Sequence, residues 1–70
     1  MQLTVNGRPT EIEGNESLTV SEILVQLNVK DALYVTVELN GEIIDRPTFD
    51  SISVKGGDSL EFLYFMGGGR

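Results

Sequence analysis

The chain reads as an α+β domain, with one mixed sheet of four to five strands and a single helix packed across one face. Two Asn-Gly pairs, Asn6-Gly7 and Asn40-Gly41, each follow a run in which polar and apolar residues alternate. Between them the hydrophobic spacing changes from the period of a strand to that of a helix. A third apolar run closes the chain, ahead of three glycines and an arginine.

The elements follow in order. Residues 2–6 alternate and end at Asn6-Gly7, a pair that accepts the positive φ angles of a tight hairpin turn. Residues 10–13 alternate again behind Pro9, placed where a missing N–H does least harm. Leu3, Val5 and Ile12 then share the core face. A turn is expected over residues 14–17. Val20, Ile23, Leu24 and Leu27 next recur at i, i+3, i+4 and i+7, one stripe of a helix. Thr19 and Glu22 form the Thr-x-x-Glu capping box that marks a helix start, and Asn28 is a suitable stop. So short a helix needs a sheet to dock on.

A third strand is expected over residues 34–39, with Val35, Val37 and Leu39 on one face, and Asn40-Gly41 turns it toward residues 42–44. Residues 45–50 read as a loop or one helical turn, with Phe49 plugging the core and Arg46 in a surface ion pair with Asp45 or Asp50. Residues 51–54 are a short extended piece, residues 55–58 a turn, and residues 60–66 the last strand. The most economical arrangement is the β-grasp architecture. The expected division is a body over residues 1–66 and a flexible glycine tail over residues 67–70.

Composition narrows the function classes. Seventy residues hold one domain, and with no Cys and no His there is neither a disulfide nor a soft-metal staple. No nucleophile–base pair, metal set or phosphate loop can be assembled, so an enzyme is not expected. Eleven acidic against five basic residues give a net charge of −6, which argues against nucleic acid and suits a basic partner surface. With no leader-like or membrane-length apolar segment visible, the expected setting is a soluble, cytoplasmic one.

The order of motifs resembles the ThiS family, the sulfur carrier proteins of thiamine biosynthesis. The matching features are the strand-Asn-Gly-strand start, the capped helix beginning Thr19-Val20-Ser21-Glu22, Asn40-Gly41-Glu42-Ile43-Ile44, Asp45-Arg46-Pro47, Gly57-Asp58 and an apolar strand running into glycines. The resemblance implies that an adenylating, E1-like enzyme joins the terminal glycine carboxylate to AMP, using ATP. It further implies that a relay from a cysteine desulfurase replaces the AMP with sulfur, and that the resulting thiocarboxylate feeds a thiazole synthase. The carrier itself would hold no cofactor and supply no catalytic side chain. Its working part would be the di-glycine Gly68-Gly69, preceded by Gly67, since glycine lets the backbone approach catalytic groups closely.

This chain departs from that pattern in ending at Arg70. On this reading Gly69 becomes the sulfur-carrying terminus only after Arg70 is removed; the alternatives are an inactive relative and a last residue foreign to the natural protein. Leu63 and Phe65, with Tyr34 from the neighbouring strand, are the expected partner-docking residues, an outward apolar patch just ahead of the tail. Two alternatives stand beside this reading. One is a carrier of the same fold serving molybdopterin, cysteine or methionine assembly, and the other is a binding module of the same fold whose glycines are incidental.

Overall fold

The computed structural model describes residues 1–13 and 17–64. Five strands form one sheet: β1 (Gln2–Val5), β2 (Arg8–Glu11), β4 (Thr36–Leu39), β5 (Glu42–Ile44) and β7 (Ser59–Leu63). Their order across the sheet is β2-β1-β7-β4-β5. The first and last strands of the chain run parallel at its centre, and the other neighbours are antiparallel. The single helix, α1 (Val20–Gln26), contributes Val20, Ile23 and Leu24 to a core that also holds Leu3, Val37 and Leu60.

Both Asn-Gly turns form as expected, with positive φ at Asn6, Gly7, Asn40 and Gly41. Their asparagines do more than turn the chain. The side-chain oxygen of Asn6 accepts from the Phe62 N–H at 2.8 Å, and that of Asn40 accepts from the Ser59 N–H at 2.9 Å. The Asn40 amide also donates to Asp58 Oδ1 at 3.2 Å, while Asp58 Oδ2 accepts from the Lys55 N–H at 2.9 Å. The two turns therefore hold the register of β7, and the Gly57-Asp58 turn is fastened to one of them. Replacing Asn40 with Ala removes these bonds and leaves a residue with a Cβ at φ 51. The expected cost is about 2 kcal/mol in a urea melt, from two modest hydrogen bonds and an unfavourable backbone region.

The capping box at the start of α1 is complete. Thr19 Oγ1 accepts from the Glu22 N–H at 3.1 Å, and Glu22 Oε1 accepts from the Thr19 N–H at 2.8 Å. Two further N-terminal amides find carbonyls from the segment ahead of β6 (Ser53–Lys55): Val20 donates to Ile52 and Ser21 to Phe49, each at 3.0 Å. The other end closes on Asn28, at φ 55. There Asn28 donates to the Val25 carbonyl and Val29 to that of Leu24, the paired bonds of a Schellman cap.

Several details differ from expectation, among them the last strand, which runs Ser59–Leu63 and leaves Tyr64 outside it. Ser17 belongs not to a turn but to a strand, β3 (Ser17–Thr19), which pairs antiparallel with β6 in a separate two-stranded sheet. The strand expected from residue 34 begins at Thr36, because Tyr34 still closes a turn by donating to the Asp31 carbonyl. Arg46 forms no ion pair among the described residues. It opens a single 3-10 turn (Arg46–Thr48) and donates to the carbonyls of Ala32 at 2.8 Å and Val35 at 2.7 Å. Its guanidinium also lies 5.0 Å from the centre of the Phe49 ring. Fixed carbonyls and a ring face offer a guanidinium more than an exposed, mobile carboxylate does. Phe49 itself is buried, as expected.

Candidate functional site

The site expected from the sequence is the C-terminal end of β7 and whatever surrounds it. β7 is the central strand of the five, so its end leaves from the middle of the sheet. It also runs past its pairing with β1. The pairing with β1 reaches Val5 against Leu60, and beyond that the Asn6 side chain holds the Phe62 N–H. Pairing with β4 reaches Thr36 against Leu63. The next residue, Tyr64, is tied by its hydroxyl to the Lys30 carbonyl at 2.5 Å.

Directly paired residues share a face of the sheet. Val37 lies against Phe62 and Ile44, on the core side. The opposite face therefore carries Thr36 with Leu63, and Glu38 between Ile43 and Glu61. Of the expected docking residues, Leu63 falls on this outward face and is half-buried, while Tyr34 is 76% exposed beside the start of β4. Phe65 lies outside the described residues, as do Gly67, Gly68, Gly69 and Arg70.

Sequence reasoning missed Ile43, which is 65% exposed on the same face. The signal was present, because adjacent Ile43 and Ile44 in a strand must point to opposite faces. It also missed the juxtaposition of Glu38 with Glu61, two carboxylates set directly across from each other. Like charges in that register weaken a sheet. Glu61→Lys should therefore stabilise the fold, by about 0.5 kcal/mol given that Glu61 is exposed and Glu38 only half-buried. Urea melts at low salt will show the gain, and it should shrink as salt is added.

Among the described residues no group of three or more carboxylates is gathered as a metal site, and no helix is long and apolar enough to cross a membrane. An apolar and acidic sheet face lies beside the central strand, whose last residue, Leu63, is paired with Thr36.

The helix in the grasp of a mixed sheet, with first and last strands parallel at its centre, defines a β-grasp protein of the ubiquitin-like class. Residues 3–69 match the model of the ThiS family, and the chain belongs to that family. The crystal structure of the thiamine biosynthesis protein ThiS from Geobacter metallireducens is similar at a TM-score of 0.92 and 61% identity, over 99% of this chain and 100% of that one. A solution structure of a thiamine biosynthesis protein from the same organism gives a TM-score of 0.78 and 60% identity, over 100% of this chain and 90% of that one. A thiazole synthase from Paramagnetospirillum magneticum is 39% identical over 69 residues, which are 99% of this chain. Those residues make up 20% of the synthase, so the chain spans a fifth of the length of the curated relative it matches.

Proposed function

We propose that this chain is a sulfur carrier for thiamine thiazole formation, working through a thiocarboxylate at Gly69 and not as an enzyme. The observation that carries the reading is the family match, which extends through Gly69 and stops short of Arg70. The fold supports it by placing the end of β7 at the centre of the sheet beside an apolar and acidic face. A thiazole synthase containing a stretch similar to nearly all of this chain supports that enzyme as the recipient of the sulfur.

The reaction needs nothing from the carrier but its terminus. A free carboxylate is a poor electrophile, so a partner E1-like enzyme transfers AMP from ATP to the Gly69 carboxylate and releases pyrophosphate. The terminal sulfur of a persulfide charged by a cysteine desulfurase relay then displaces AMP, breaking the acyl C–O bond and forming the acyl C–S bond, and a thiol reductant cleaves the resulting acyl disulfide to leave the thiocarboxylate. The carrier binds no cofactor in this scheme, and a cytoplasmic setting gives it access to ATP and to both partners. Absence of Cys and His from the sequence agrees with a carrier that supplies no nucleophile of its own.

Leu63, Tyr34 and Phe65, joined by Ile43 and the Glu38–Glu61 pair, form the docking face in this reading. ATP–pyrophosphate exchange tests it. An adenylating enzyme of this family should catalyse exchange when given the chain ending at Gly69. Absence of exchange across a range of carrier concentrations would contradict the proposal.

A further inference from the structure

The bond between Tyr64 and Lys30 links residues 34 apart in sequence, one residue beyond the Thr36–Leu63 pair that ends β7. Burial does not demand it. The tyrosine is 43% exposed, and water would satisfy its hydroxyl equally well. What the bond adds is direction, because its acceptor belongs to a fixed loop. Between α1 and β4, the Val29 N–H is held by the Leu24 carbonyl at 3.1 Å and the Tyr34 N–H by the Asp31 carbonyl at 2.8 Å. The guanidinium of Arg46 grips the same loop at the carbonyls of Ala32 and Val35. Lys30 thus stands on a segment anchored to the helix at one end and to the 3-10 turn at the other.

We infer that Tyr64 is a positioning residue whose clasp on Lys30 fixes where the chain beyond β7 leaves the body, and in which direction. The inference rests on the carrier reading above and deepens it. Both partners of a carrier must receive the same short terminus, and binding is weakened by the fraction of molecules that present it wrongly. Without the clasp, the last tie of β7 to the body among the described residues is the Thr36–Leu63 pair, one residue earlier. Reaction at the Gly69 carbonyl is unchanged once the terminus is in place. The loss should therefore fall on KM and spare kcat.

Tyr64→Phe removes the hydroxyl and keeps the ring. Three measurements on wild type and variant, both ending at Gly69, decide the matter: steady-state pyrophosphate release by the adenylating enzyme, backbone 15N order parameters of the free protein, and the melting temperature. The expected result is a KM raised about threefold to tenfold with kcat within about twofold. Order parameters should fall from Leu63 through Met66 and stay level in the body, with melting nearly unchanged. Equal KM and equal order parameters would overturn the inference. So would a raised KM accompanied by lower melting and loosening throughout the body, which would make Tyr64 merely structural. If wild type itself is not adenylated, the carrier reading fails, and the order parameters alone still decide whether the clasp directs the chain.

Discussion

A chain ending at Gly69 should accept adenylate and then sulfur, whereas the same chain ending at Arg70 should accept neither. The expected difference is all or none, because the reactive group is the α-carboxylate itself. With Arg70 in place, the Gly69 carbonyl belongs to a peptide amide and offers no oxygen anion to attack ATP. The Arg70 carboxylate is free, but it carries a long charged side chain on the adjacent carbon, where a site built around glycine has no room. Close backbone approach is what the missing Cβ of glycine permits. Gly69→Ala at the end of a 69-residue chain tests the same point more gently. One methyl group should lower kcat/KM by one to two orders of magnitude, if it costs about 1.4–2.8 kcal/mol in the transition state. Pyrophosphate release by the adenylating enzyme reads all three forms. Equal rates for the chains ending at Gly69 and Arg70 would place the chemistry elsewhere.

Ile23→Ala should destabilise the domain by about 3–4 kcal/mol, the range for removing a large aliphatic side chain from a packed core. Ile23 is completely buried, at the middle of the only helix described, between Val20 and Leu24. A domain of this size is stable by roughly 4–10 kcal/mol, so this single change removes a large part of the total. The contrast with Val25 sharpens the test. Val25 lies two residues on in the same helix and is 79% exposed, so Val25→Ala should move the urea midpoint little and can gain slightly from the helix propensity of Ala. Similar effects at both positions would mean that α1 does not pack on the sheet by its Val20–Ile23–Leu24 face.

Much of this fold was legible because its strongest signals are local. Asn-Gly needs only its own φ angles to make a turn, and Thr19 and Glu22 reach each other within one turn of helix. β3 was not legible: Ser17–Thr19 offers one apolar residue, and its partner Lys55 is far along the chain. The ends of Arg46 were misjudged for a similar reason. Opposite charges stood nearby in sequence, whereas its actual acceptors are loop carbonyls that only tertiary structure brings near. The second role of Asn6 and Asn40, holding the amides of β7, depends on which strand lies beside each turn.

The candidate site divides along the same line. Its glycines are visible in composition alone, and the family match extends through Gly69. Leu63 was found by alternation along β7. The same alternation turns Glu61 outward, and of the adjacent Ile43 and Ile44 one must face out, but only cross-strand register sets Glu38 between Ile43 and Glu61. The clasp of Tyr64 on Lys30 is further removed still, since its acceptor is a main-chain oxygen with no residue-type signature.

The most direct test of the account is the intact mass of the protein isolated from cells making thiamine. The account predicts a chain ending at Gly69, heavier by the difference between sulfur and oxygen, with the increment lost when the adenylating enzyme is deleted. A population carrying only unmodified carboxylates under those conditions, or an increment that survives the deletion, would contradict it.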